Sequence, residues 1–102
     1  MTIFGVTRDG GDTWSEFIIR PAPQFQANVE GDPMGAFDDR TGTLWAGAIA
    51  FSGNGGIYSA RLEPDKVTFE PTEMIQAAGG VDKGWMAAGP DPNDATKTRV
   101  YA

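Results

Sequence analysis

An eight-residue segment, Thr7–Trp14, constrains the fold of this chain more than any other part of its sequence. Its Asp-Gly-Gly core lies between two runs that favour β-strands, residues 3–6 and 14–19. Glycine supplies the positive φ that a tight turn needs, and an aspartate side chain accepts hydrogen bonds from the backbone amides ahead of it. The segment therefore predicts a β-hairpin with strands within 2–7 and 13–20.

Five positions of this segment match the Asp-box, or bacterial neuraminidase repeat, whose pattern is Ser/Thr-x-Asp-x-Gly-x-Thr-Trp. The matching residues are Thr7, Asp9, Gly11, Thr13 and Trp14. The chain thus resembles the sialidase-like β-propeller superfamily, in which the box closes the hairpin between the third and fourth strands of a blade. The resemblance implies structural roles for all five residues. Asp9 is expected to accept from turn amides, and Trp14 to pack against a neighbouring part of the sheet.

The resemblance further implies an all-β fold that is part of a β-propeller, with about two blades of four-stranded antiparallel sheet. A blade takes about 40–50 residues and a closed propeller has about four to eight blades, so 102 residues supply about two. We assign 1–20 to the outer hairpin of one blade, 33–72 to one complete blade and 82–102 to the start of the next. The expected partners are the remaining blades of a parent chain or further copies of this chain.

The strand pattern after the hairpin supports this division. The complete blade is predicted to contain strands at 33–38, 43–51, 57–62 and 67–69. A short helix over 71–78 is a local alternative after the fourth strand. The stretch 43–51 is almost continuously apolar, which is typical of a strand buried on both faces.

A repeat offset connects the three units. Thr68-Phe69 follows Thr13-Trp14 by 55 residues, and Val100-Tyr101-Ala102 follows Leu44-Trp45-Ala46 by 56. Residues 84–88 are predicted as a second inner strand. The chain opens inside an apparent third strand and stops at 99–102, where a strand has just begun, which favours a partial chain.

Composition excludes several classes of function. Fourteen acidic and eight basic residues give a net charge of −6, which argues against binding to nucleic acid or an anionic membrane. The absence of Cys and His excludes thiolate or imidazole zinc sites, a Ser-His-Asp triad and a Cys-His pair within this chain. Residues 91–94 lack the central Gly and downstream Glu of an EF-hand calcium loop, so no metal and no cofactor is expected. No apolar run has the length of a membrane span.

Candidate ligand-facing residues follow from the propeller resemblance, which places a ligand funnel on the face opposite the Asp-box turn. They are Asp32, Asn54, Asp82, Lys83 and Trp85. Paired carboxylates serve glycoside hydrolysis, a Trp ring stacks on sugars, and a lysine holds an acidic group. Each also has a plainer interpretation, as a strand-entry cap or as packing. Arg20 does not lie in the arginine motif of sialidases, and the other arginines do not suggest a cluster for a sugar carboxylate.

These observations leave three functions open. The favoured one is a structural, glycan-binding or protein-binding portion of a larger sialidase-like β-propeller. The alternatives are part of a catalytic, exo-sialidase-like glycoside hydrolase and a short propeller lectin that assembles from copies of itself. The sequence shows no catalytic constellation, so enzymatic activity is left undecided. The resemblance implies a secreted or cell-surface protein, although no signal peptide opens this chain.

Overall fold

Eight β-strands make up the described part of the chain in this computed structural model. The structure describes residues 2–20, 29–51, 55–70, 73–77, 82 and 84–102, and within these ranges there is no helix. The strands form three antiparallel sheets of two, four and two strands, in chain order. The predicted all-β class is confirmed.

The first sheet is the hairpin that the Asp-Gly-Gly segment predicts. Strand β1 spans Ile3–Val6 and pairs antiparallel with β2, Ser15–Ile18. Ile3 lies opposite Ile18, and Val6 lies opposite Ser15. Gly10 and Gly11 have φ values of 77° and 108°, in the region that only glycine adopts without strain. The two glycines therefore adopt the positive φ values that the predicted turn needs.

The second sheet has four strands in chain order. They are β3 (Val29–Asp38), β4 (Thr43–Ala50), β5 (Gly56–Leu62) and β6 (Glu73–Ala77). The strands predicted at 43–51 and 57–62 are confirmed to within one residue. The sheet extends beyond the predicted 33–72 at both ends, and its identity as a propeller blade stays a prediction.

The fourth strand of this sheet lies at Glu73–Ala77, so its predicted position at 67–69 is wrong. Phe69 does not extend a strand because its ring packs inward against two aromatic rings of the hairpin. Its centroid lies 6.1 Å from that of Phe4 and 5.5 Å from that of Phe17. The helix considered over 71–78 is also wrong, since residues 73–77 instead pair with β5.

Strand β3 begins at Val29, four residues before its predicted start, and its pairing with β4 shifts register twice before Met34. Asp32 lies within these shifts and has a φ of 44°, which is uncommon for a residue with a side chain. Such bulges bend a strand and redirect its side chains.

The third sheet differs from the prediction at both of its strands. Strand β7 spans Ala87–Asp91 rather than 84–88, and β8 spans Asp94–Tyr101. The final strand therefore does not begin at 99; it is already eight residues long. The two-residue turn at 92–93 lets pairing start at once, although the first half of β8 is polar and gives no apolar signal.

The four-stranded sheet is buried on both faces. On one face, the alanines of β4 and Tyr58 form a cluster with Ile19, against which Phe4 and Phe69 pack. On the other face, Ile49 packs with Met34, Ile57 and the partly buried Met86. Burial on both sides explains why β4 is a nearly continuous apolar run.

Gly47 provides a test of this close packing. A methyl group there would lie 2.7 Å from Met86 Cε and 3.0 Å from the Tyr58 carbonyl oxygen. We expect Gly47→Ala to lower the free energy of unfolding by about 1–3 kcal/mol, as overpacking does. Gly89→Ala is the control because nothing lies within 4 Å of its added methyl. Urea denaturation of both variants would measure the difference, and equal stability would contradict the packing described.

Candidate functional site

The turn of the first hairpin, residues 7–14, satisfies its own polar groups. Asp9 accepts from the Thr13 amide at 2.9 Å and from the Thr13 hydroxyl at 2.5 Å, while the Thr7 hydroxyl donates to it at 2.8 Å. The Gly11 amide in turn donates to Thr7 Oγ1 at 2.8 Å. These bonds, led by the Thr13 hydroxyl, lower the pKa of Asp9 to about 2. The Asp9 carboxylate is thus fully used within its turn.

Trp14 closes the same turn without being buried. Its indole Nε1 donates to the Gly11 carbonyl at 3.0 Å, and its ring lies over Gly5. The residue nevertheless remains 63% exposed. The structure therefore gives Trp14 a local hydrogen bond and a backbone contact, while one face of the ring stays open to solvent.

Two arginines link turns that are about one repeat apart. Arg8 donates to the carbonyl oxygens of Pro64 and, at 2.7 Å, of Lys66. Arg40 donates in the same way to the Ala95 carbonyl at 3.0 Å. Each pair is separated by 55 to 58 residues, which matches the repeat offset in the sequence. Both arginines therefore act as links between successive sheets.

A buried carboxylate supports the second link. Asp38, with a side chain 1% exposed, accepts from the Arg40 guanidinium at 3.0 and 3.1 Å and from the Arg40 amide at 3.1 Å. The Thr98 hydroxyl of β8 also donates to it. The Arg40 guanidinium, followed by Thr98, lowers the pKa of Asp38 to about 2. This network joins the β3–β4 turn to β8.

A shallow groove lies beside the middle of β3. Residues 33–35 of β3 form one wall and residues 84–86, just before β7, form the other, around a volume of about 240 Å³. Met34 of the groove pairs with Gly47, near the middle of both strands, so the groove lies apart from the turn at 39–42 that carries Arg40.

Two exposed aromatic rings flank the bulged start of β3. Trp85 lines the groove and is 77% exposed. Phe51 follows β4, is 64% exposed, and packs so closely over Gly31 that a methyl group there would overlap its ring. These two exposed rings add apolar surface near the bulged part of β3.

The candidate ligand-facing residues have different outcomes. Trp85 lies in the groove, Asp32 immediately precedes the groove wall at Pro33, and Asp82 is exposed shortly before the other wall. Asn54 and Lys83 fall outside the described residues. Sequence reasoning missed Phe51, which was assigned only to a strand, because its contact with Gly31 joins residues distant in the chain.

Four of the described arginines have partners outside this groove. Arg61 pairs with Glu70, its Nε lying 2.6 Å from the carboxylate, and Arg99 binds Asp91 at 2.7 Å. Arg8 and Arg40 are engaged in the links described above. Among its lining residues, the groove offers the Trp85 ring as a stacking surface, with the exposed side chains of Asp32 and Asp82 close to it in sequence.

Comparison with known proteins adds no family assignment: no family model, curated protein or solved structure matches this chain. The described residues contain no group of three or more side chains arranged to hold a metal ion. In the same part of the chain, no helix has the length and hydrophobicity needed to cross a membrane.

Proposed function

We propose that this chain is a carbohydrate-binding portion of a sialidase-like β-propeller. The observation that carries the binding role is Trp85, an exposed indole that lines a groove beside a bulged strand. Bulges are over-represented next to functional sites, where they aim side chains that a regular strand would not. Apolar walls with a few polar groups are the usual composition of a small-molecule site.

The propeller part of the proposal rests on repetition. The Asp-box supplies the turn, the offset of 55–56 residues recurs in the sequence, and Arg8 and Arg40 connect positions 55 to 58 residues apart. The central sheet is also covered on both faces, by residues of the first hairpin on one and by Met86 on the other, as a blade is covered by its neighbours. A secreted or cell-surface location belongs to the same proposal.

Binding is favoured over hydrolysis for a specific reason. Sialidase-like catalysis on an acidic sugar requires cations at the ligand, whereas Arg8, Arg40, Arg61 and Arg99 each bind carbonyl or carboxylate oxygens outside the groove. An aromatic ring such as Trp85 can stack on the apolar face of a pyranose that carries no charge. The ligand that we propose is a neutral glycan.

Titration with neutral oligosaccharides, followed by tryptophan fluorescence and saturation-transfer NMR, tests the proposal. We expect Trp85→Ala to weaken binding by about tenfold or more, because truncating an aromatic anchor costs about 2 kcal/mol or more. Trp85→Phe should retain part of the affinity. Val67→Ala, an exposed residue outside the groove, is the matched control. Unchanged affinity in Trp85→Ala, or no binding by the parent chain, would refute the proposed site.

A further inference from the structure

A second cavity lies on the face of the central sheet that packs against the first hairpin. It has a volume of about 260 Å³ and shares no lining residue with the groove described above. One wall is the row Phe37, Leu44 and Leu62, which pair across β3, β4 and β5 and therefore share one face of the sheet. The other wall belongs to the hairpin and includes Val6 and Trp14. We call this cavity the hairpin slot.

The slot is already formed in the folded chain. Gly5 and Gly42 line it without contributing a side chain, which leaves space between the two walls. Arg8 donates to the carbonyl oxygens of Pro64 and Lys66, and these bonds fix the hairpin turn relative to the turn that follows β5. Binding sites for small molecules are usually largely formed in advance in this way.

The apolar lining favours an aromatic ring. Trp14 and Phe37 both line the slot, yet they are 63% and 61% exposed, so much of each ring is accessible to a ligand. Aromatic rings attract one another in offset or edge-to-face arrangements. An apolar cavity of about 150 Å³ is large enough for benzene. The volume of about 260 Å³ therefore has room for one ring or two fused rings.

Arg8 adds a positive charge to this lining. Its guanidinium donates to three backbone carbonyl oxygens, those of Glu63, Pro64 and Lys66. A guanidinium has five N–H donors, so these bonds do not use all of them. In the described part of the chain Arg8 forms no ion pair, and neutral carbonyls leave its charge uncompensated.

The other polar side chains at the slot are engaged within the turn. The Thr7 hydroxyl donates to Asp9 and accepts from the Gly11 amide, and the Trp14 indole donates to the Gly11 carbonyl. The Asp9 carboxylate, which follows Arg8 in the chain, likewise accepts from residues of its own turn. The slot therefore combines an apolar interior with one exposed cation.

We propose that the hairpin slot binds a small aromatic carboxylate, with its ring against Trp14 and Phe37 and its carboxylate on the Arg8 guanidinium. Charge complementarity selects this ligand, because a carboxylate supplies the negative charge that the partners of Arg8 lack and can accept from its remaining N–H groups. The site is independent of the proposed glycan groove, since the two have no residue in common.

Titration of the isotopically labelled chain with benzoate, benzamide and 2-naphthoate, followed by NMR, tests the proposal. Benzoate and benzamide have nearly the same shape and differ in charge. We expect benzoate to bind about twofold to fivefold more tightly, which is the contribution of an exposed ion pair. The second ring of 2-naphthoate should increase affinity because it buries more apolar surface. The signals of the Trp14 indole and the Gly5 amide should shift, and that of the Trp85 indole should not.

Two substitutions separate the ring contact from the charge. Phe37→Ala should weaken all three ligands by about twofold to tenfold, as loss of an aromatic contact does. Tyr101→Ala is the matched control, because it removes an exposed aromatic ring that lies outside the slot. Arg8→Gln should weaken benzoate more than benzamide, whereas Arg8→Lys should keep the preference for benzoate.

Several results would overturn the proposal. One is the absence of saturable shifts at Trp14 and Gly5 with any of the three ligands. Another is equal affinity for benzoate and benzamide in the parent chain, or equal losses of both in Arg8→Gln, which would leave Arg8 as a structural link alone. Tighter binding of an acetylated tripeptide ending in phenylalanine than of 2-naphthoate would assign the slot to a protein C-terminus and exclude the small-molecule ligand.

Discussion

Truncation of Ile49 to alanine is expected to lower the free energy of unfolding by about 2–5 kcal/mol. Ile49 is 1% exposed and packs with Met34, Ile57 and Met86 on the face of the central sheet that meets the segment before β7. Its removal forfeits burial and leaves a cavity that a sheet held on both faces cannot easily close. Domains of this size are stable by about 5–15 kcal/mol, so the loss is a large fraction of the total.

A graded series makes this prediction specific. Ile49→Val should cost about 0.5–1.5 kcal/mol, because it removes one methylene and leaves a smaller void. Val67→Ala should stay within about 0.5 kcal/mol, since Val67 is 81% exposed. Denaturant unfolding, monitored by circular dichroism, would measure all three. If Ile49→Ala matched Val67→Ala, the second hydrophobic cluster would not exist as described.

The same substitution connects stability to the groove. Met34 and Met86, two of the side chains around Ile49, also line the groove that contains Trp85. A cavity beneath these flexible side chains would let the two walls shift relative to each other. Loss of packing at Ile49 should therefore weaken glycan binding without any change in the residues that are proposed to touch the sugar.

Local chemistry made part of the fold predictable. The first hairpin follows from Asp-Gly-Gly, whose two glycines adopt the positive φ values that the turn needs. The strand at 43–50 follows from its continuous apolar run, which reflects burial on both faces. These features depend on neighbours in the sequence, and that is why a single sequence reveals them.

Contacts between distant residues explain the errors. Phe69 has the β propensity of a strand residue, but the rings of Phe4 and Phe17 hold it in a loop before β6. Strand β3 begins early because residues 29–32 find partners on β4 through two register shifts. The preference of a residue for β-strands depends more on such contacts than its preference for helices does.

The residues of the candidate site were also predictable only in part. Trp85 could be selected from the sequence because it is a large ring next to Gly84 in an expected inner segment. The contact between Phe51 and Gly31 could not be predicted from the sequence, and neither could the positive φ of Asp32. Both occur where the pairing of β3 with β4 shifts register. The sequence alone therefore did not reveal the groove.

Acidification is expected to weaken the fold through the carboxylates of Asp9 and Asp38, which accept hydrogen bonds in two turns. Hydrogen bonds lower the folded-state pKa of Asp38 and of Asp9 to about 2, from an ordinary value of 3.8. Above the ordinary value, both states are ionised and the stabilisation is fully present. As the pH falls from 3.8 toward 2, the unfolded chain binds protons first, so the free energy of unfolding decreases.

Asp38→Asn measures how much of the stability, and of its pH dependence, comes from the hydrogen bonds of the buried Asp38 carboxylate. The amide cannot accept the charged, bidentate contact of Arg40 or the Thr98 hydroxyl as a carboxylate does, so stability near neutral pH should drop markedly. The remaining pH dependence between 3.8 and about 2 should be shallower than in the parent chain. Thermal melts at several pH values across this window would measure both effects.

Asp39→Asn is the matched control, because it removes the same charge from the adjacent, exposed position. It should leave the melting temperature near neutral pH almost unchanged. Parallel melting curves for Asp38→Asn and Asp39→Asn would mean that net charge alone sets the acid response. A selective effect of Asp38→Asn would instead place the loss at the Asp38–Arg40–Thr98 network, which holds β8 against the β3–β4 turn.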